Sequence, residues 1–182
     1  PKLAGPAGCR FEKRGDLVFD TVTGALWPRT ASPAEFALSW DEALAYAAAM
    51  DSRKEHGAEG CQVPSRRVRF SPISHPYINP ALPTDPPFEH VFTGYYWTSD
   101  ACSRLPGQVW YIHMGGGRVT RANKSDSAML LPVCPPKAPP DASLECPFTL
   151  LGETVEENRT GLIWTRDAGL SPRLQSWDEA LD

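Results

Sequence analysis

The chain has 182 residues, a formal net charge of −4 and a hydrophobic fraction of 41%. This fraction is large enough for a folded core and argues against wholesale disorder. The acidic balance argues against a nucleic-acid partner, because such proteins usually carry a basic surface. No apolar run is long enough to cross a membrane, so we expect no membrane insertion in this segment.

The first predicted elements are two short strands, Asp16–Asp20 and Ala25–Arg29, joined by a turn over Thr21–Gly24. Gly24 can adopt the positive φ that such turns require. A helix is predicted to follow, because Ser39 and Glu42 have the spacing of a capping box, which satisfies free amides at a helix start. Apolar side chains then recur at helical spacing as far as Met50.

The second half of this unit is predicted to contain loops and strands. A short helix or turn is expected over residues 66–70, and residues 71–90 contain six prolines, which indicates a long irregular loop. Four segments then have strand composition, and Gly115–Gly117 turns the second into the third: Tyr95–Ser99, Gln108–Met114, Arg118–Arg121 and Met129–Cys134. This order predicts an α+β domain with short antiparallel strands, one main capped helix and long loops.

The chain also contains an internal repeat. A shift of 137 positions aligns residues 9–44 with residues 146–181 without a gap, and 15 of these 36 positions are identical. The repeat predicts a complete domain over 9–134, a proline-rich linker over 135–145 and the truncated start of a second copy over 146–182. We expect this start to be too short to bury a core of its own.

The five cysteines fit this division, because Cys146 opens the second copy and leaves four in the first. Four cysteines allow three pairings. We favour Cys9–Cys134, which would join the ends of the domain, together with Cys61–Cys102. Such bonds indicate an oxidising compartment. The alternatives are four free thiols or a zinc site, the latter disfavoured because no pair has C-x-x-C spacing.

Several motifs resemble those of the Lcl C-terminal domain family, which is named for a bacterial collagen-like adhesin. They are Phe11, Asp20, Thr23-Gly24, Trp27, Ser39–Leu44, Val63–Ser65, Trp97–Ser99 and Leu131–Cys134. The resemblance covers nearly all of the first copy and the beginning of the second. It implies a C-type-lectin-like α+β fold, an extracellular, cell-surface or periplasmic location, and a role in adhesion or ligand binding. This chain departs from the family in the Arg66–Arg69 run.

The candidate binding residues lie in the segment that the core does not require. Binding groups tend to lie on loops that a rigid scaffold supports. We therefore expect ligand contacts from Tyr96, Trp110, Arg118 and Arg121. A wider basic patch that includes Arg66, Arg67, Arg69 and Lys124 could bind sulfated or acidic glycans. The alternative is that these charges are solvated and that Trp110 and Tyr96 belong to the core, as we expect for Trp27, Trp40 and Trp97.

No catalytic motif accompanies these residues. The four histidines lack metal-ligand spacing, and neither a phosphate-binding loop nor a nucleophile elbow is present. We therefore expect no metal, no cofactor and no enzymatic activity. The sequence predicts an adhesion module that binds a glycan or a surface protein. The alternative is a structural subunit or spacer of a cell-surface assembly without a small ligand.

Overall fold

The structure is a computed structural model that describes residues 10–83, 86–135, 148–158, 161–169, 171 and 173–181. The chain divides into two compact units, Pro1–Lys137 and Ala138–Asp182.

The first unit begins with a three-stranded antiparallel sheet formed by β1 (Phe11–Arg14), β2 (Leu17–Asp20) and β3 (Leu26–Pro28). Gly15, at φ 66°, forms the first turn, and Gly24, at φ 72°, forms the second. The sequence predicted β2 and β3 but not β1, whose last three residues are charged and exposed. One face of the sheet carries Phe11, Val18 and Trp27 into the core.

Helix α1 (Trp40–Ser52) follows, and its start is the predicted capping box. The Glu42 amide donates to the Ser39 hydroxyl at 3.4 Å, while the Ser39 amide donates to the Glu42 carboxylate at 2.8 Å. A short helix, α2 (Arg66–Phe70), then precedes the proline-rich loop. Ser65 caps α2 through its hydroxyl, which accepts from the Val68 amide at 3.3 Å.

The second sheet of this unit contains β4 (Tyr95–Ala101), β5 (Gln108–His113) and β6 (Val119–Asn123), all antiparallel. Because side chains alternate across a strand, the sheet has two different faces. Trp97 and Val109 lie on the face that packs with α1 residues such as Ala43 and Ala47. Tyr96 lies on the other face, in the core that it shares with the first sheet.

An arginine lies within that shared core. Arg69 of α2 is fully buried, with its Cζ atom 4.6 Å from the centre of the Tyr96 ring and 5.8 Å from that of Trp27. Burial lowers the pKa of Arg69 to about 10, although the neighbouring Tyr96 acts in the opposite direction. The guanidinium therefore remains charged at neutral pH.

The second unit repeats the beginning of the first. Strands β7 (Phe148–Leu151), β8 (Thr154–Glu157) and β9 (Leu162–Thr165) form an antiparallel sheet, and a helix, α3, spans Trp177–Leu181. Phe148 pairs with Glu157 as Phe11 pairs with Asp20. The burial differs, however, since Phe148 is 48% exposed and Trp164 is 55% exposed. Their equivalents in the first unit, Phe11 and Trp27, are buried.

The expected α+β class, and with it the C-type-lectin-like description, is wrong. The described residues contain nine strands in three three-stranded antiparallel sheets, and α1 is their one helix longer than five residues. The fold is mostly β. Helical periodicity identified α1 correctly but gave no measure of its share of the fold, which three short, turn-linked sheets dominate. The expected strand Met129–Cys134 contributes isolated bridges, such as Leu26 with Cys134 and Gln62 with Val133.

The predicted cysteine pairing is also wrong. The disulfide joins Cys61 to Cys134, and Cys102 is a buried free thiol. The two bridges just described bring both bonded cysteines to the edge of the first sheet, because the closing segment lies between β3 and the chain near Gln62. Cys9, the expected partner of Cys134, and Cys146 lie outside the described residues.

Candidate functional site

The second sheet separates the four predicted binding residues. Tyr96 is fully buried, and its hydroxyl accepts from the Phe92 amide at 2.8 Å and lies 3.2 Å from the Ser32 hydroxyl. It is therefore a core residue and not a ligand contact. The prediction failed because the adjacent Tyr95 and Tyr96 point to opposite faces of a strand.

Trp110 and Arg121 remain together. They are directly paired across β5 and β6, which places their β-carbons about 5 Å apart on the same face of the sheet. Arg66 of α2 joins them, since its Cζ atom lies 4.6 Å from the centre of the Trp110 ring. We call Arg66, Trp110 and Arg121 the basic surface. Both arginines are exposed, and neither forms an ion pair within the described part of the chain.

The position of Arg66 follows from local structure. Ser65 fixes the start of α2, and the backbone amide of Arg66 donates to the carboxylate of Asp100, next to the end of β4. The side chain is thereby directed along the sheet towards β5. The Trp110 ring restricts the guanidinium further through a cation–π contact, which is worth about 0.5–1 kcal/mol at an exposed site. The Arg66 side chain has thus already lost part of its conformational entropy before a ligand binds.

Arg118 lies on the opposite face of the sheet. The carbonyl of Arg118 accepts from the His113 amide, and its guanidinium donates to the hydroxyl of Tyr95. Tyr95 in turn stacks on Tyr111, with ring centres 4.1 Å apart. Burial raises the pKa of Tyr111, and the neighbouring Tyr95 and Asp126 raise it further. The Tyr111 phenol is therefore neutral at physiological pH. We call Tyr95 and Tyr111, with Arg118 at their rim, the aromatic stack.

The arginines of α2 differ in exposure. Arg66 and Arg67 are exposed, whereas Arg69 is buried and cannot belong to a surface patch. Arg66 was predicted only as part of the wider basic patch and not as one of the four leading residues. The sequence feature that could have identified Arg66 as a binding residue is its position immediately after the helix cap Ser65, on a segment followed by strands. No spacing rule, however, pairs Arg66 with a tryptophan 44 positions away.

The described residues show neither a metal-binding cluster nor a membrane span. They contain no group of three or more histidine, cysteine, aspartate or glutamate side chains that could hold a metal ion. Within the same residues, no helix has the length and apolar character of a membrane span. The basic surface and the aromatic stack are two sites that side-chain geometry does define.

The first unit matches a known protein family. Residues 16–134 match the Lcl C-terminal domain, which covers most of the first unit. The chain therefore belongs to this family, and the membership indicates an adhesin-type surface domain. No curated protein and no solved structure is significantly similar to the chain. The resemblance drawn from Asp20, Thr23-Gly24 and Trp27 is thus confirmed at the level of the family.

Proposed function

We propose that the first unit is a non-catalytic adhesion module that binds an acidic or sulfated glycan at the basic surface. The observation that carries this proposal is the pair of exposed arginines beside Trp110, Arg66 over its ring and Arg121 on the paired strand, in a protein of net charge −4. Guanidinium groups bind carboxylate and sulfate through two parallel hydrogen bonds. Neither group is neutralised by a described carboxylate.

The geometry favours an anionic group over a neutral sugar ring. A neutral pyranose would need a free aromatic face, and the guanidinium of Arg66 occupies one face of Trp110. A sulfate or carboxylate instead requires donors, which Arg66 and Arg121 supply on one face of the sheet. A polymeric glycan can present several such groups, so that weak individual contacts add through multivalency.

The proposed location is extracellular or periplasmic. The family membership and the Cys61–Cys134 disulfide support it, because disulfides persist mainly in oxidising compartments. A surface module of this kind needs neither a cofactor nor a metal. Its partner would be a glycan chain or a glycan-bearing protein of a cell surface or matrix.

The test is binding of the full chain to immobilised heparin and to a desulfated heparin of the same length. The double variant Arg66→Ala/Arg121→Ala should weaken binding to heparin at least tenfold, and wild-type binding should decline as salt rises. A matched double variant, Arg53→Ala/Arg118→Ala, removes the same charge away from the basic surface. It should retain binding within about twofold.

Three outcomes would contradict the proposal. Equal losses in the two double variants would show non-specific charge attraction, and equal binding of desulfated heparin would exclude the anionic group. Absence of binding to any acidic glycan would favour the alternative of a spacer without a small ligand. Thermal unfolding of both variants controls for damage to the fold, since surface substitutions usually change stability by less than about 0.5 kcal/mol.

A further inference from the structure

The buried Arg69 has hydrogen-bond donors without acceptors. None of its three guanidinium nitrogens donates to any residue that the structure describes, and the same holds for the indole nitrogen of Trp27. The two side chains are neighbours, with the Arg69 Cζ atom 5.8 Å from the centre of the Trp27 ring. Buried donors in proteins are nearly always paired with protein, ordered water or an ion. These four nitrogens therefore require an acceptor from outside the described chain.

The surrounding aromatic rings do not fill that role. The face of Tyr96, 4.6 Å from the Arg69 Cζ atom, attracts the positive charge. A ring face is nevertheless a weak acceptor compared with an anion or an oxygen lone pair. A buried charge normally needs both a counter-charge and hydrogen bonds. Arg69 has neither within the described residues.

A small cavity lies beside this guanidinium. Arg69 lines it together with seven residues whose side chains are apolar, among them Ala31, Leu82 and Met114, and its volume is about 10 Å³. That volume is close to the minimum that holds one water-sized particle. A water molecule needs two to four polar partners, including acceptors for its own hydrogens. An anion needs only donors and a positive charge, which Arg69 provides.

We propose that this cavity binds a single halide ion, chloride under ordinary conditions, held by the guanidinium of Arg69. One monovalent anion balances one buried cation. A monatomic anion needs less space than carboxylate, phosphate or sulfate, so the proposed ligand class differs from that of the basic surface. The bound ion would stabilise the core where the first sheet, α2 and β4 meet. This inference does not depend on glycan binding.

The first test is thermal unfolding of the full chain in sodium chloride, with sodium gluconate replacing it at constant ionic strength. A ligand that binds only the native state raises the melting temperature with its concentration. We expect a rise of about 3–6 °C for each tenfold increase in chloride above its dissociation constant. The variant Arg69→Met should show no difference between the salts. Arg67→Met, which changes an exposed arginine of the same helix, should keep the wild-type response.

A second test remains valid if Arg69→Met does not fold. Crystals of the wild-type chain grown in sodium bromide should show an anomalous scattering peak within hydrogen-bond distance of the guanidinium of Arg69. Density for water at that point without an anomalous peak would overturn the proposal. So would equal melting temperatures of the wild type in chloride and gluconate, or an undiminished chloride response in Arg69→Met.

Discussion

The substitution Asp20→Asn should destabilise the first unit severely, because Asp20 is a buried carboxylate at the end of β2. Its side chain is 0% exposed and accepts from Arg10 at 2.9 and 2.8 Å. It also accepts from the Thr23 hydroxyl at 2.8 Å and the Val22 amide at 3.1 Å. The carboxylate therefore anchors both the preceding chain and the turn into β3.

The expected loss is about 2–3 kcal/mol of unfolding free energy at pH 7. Removal of one partner from a buried ion pair costs about 3–5 kcal/mol. The Arg10 side chain, however, is 25% exposed, so water can solvate part of its charge in the variant. The Asn amide also retains one oxygen acceptor for the turn. Both effects place the loss below that range.

The same carboxylate predicts the dependence of stability on pH. Burial alone would raise the pKa of Asp20, but hydrogen bonds from Arg10, Thr23 and Val22, with the charge of Arg10, hold it below 3.8. A lowered folded-state pKa contributes stability that is fully present above the unfolded value and is lost as the pH falls through the folded value. The wild type should therefore lose this contribution below about pH 3.8.

Urea unfolding at pH 7, 5, 4 and 3 measures both effects. The difference in unfolding free energy between the wild type and Asp20→Asn should be constant from pH 7 to 5 and should decrease towards pH 3. Asp41→Asn serves as the control, because Asp41 is exposed in the first turn of α1 and should lose only about 0.5 kcal/mol. A loss below 1 kcal/mol for Asp20→Asn, or a gap that widens at low pH, would refute the reasoning.

Two further predictions concern the disulfide and the helix cap. Replacing both Cys61 and Cys134 by serine should lower stability by about 4 kcal/mol in the loop-entropy estimate for a separation of 73 residues, and it should abolish the response to reductant. Cys102→Ser should keep the wild-type response, because Cys102 is a free thiol. Unfolding with and without dithiothreitol checks this, and a peptide map showing Cys61 joined to Cys102 would contradict it. Ser39→Ala should cost about 1 kcal/mol by removing the α1 cap; an unchanged urea midpoint would show that packing alone fixes the helix start.

Local features were predictable from the sequence to the extent that the signal itself was local. The start of α1 followed from Ser39 and Glu42, three positions apart, and the structure contains both of their hydrogen bonds. The turn at Gly24 likewise followed from one glycine, which has φ 72°. The burial of Trp27 and Trp97 was also predicted correctly, because both are fully buried.

Long-range pairings were not predictable in the same way. The disulfide depends on the bridge between Gln62 and Val133, which brings distant segments together and leaves no mark in the cysteine spacing. Arg118 and Arg121 were predicted as one patch, yet a separation of three residues along an extended chain places them on opposite faces. The internal repeat aligns Phe148 with Phe11, yet Phe11 is buried and Phe148 is exposed, a difference that sequence identity does not encode.

Helix α2 shows why residue type alone does not define a site. Arg66 and Arg69 are three positions apart, so they lie near the same face of the helix, and both contact aromatic residues on one face of the second sheet. The two arginines differ in accessibility, because they contact different parts of that sheet. Trp110 is half-buried, whereas Tyr96 is enclosed by the core. One guanidinium is therefore available to a large anionic ligand, and the other only to an ion that fits within the core. The depth of the aromatic partner, more than the arginine itself, determines which anion each can bind.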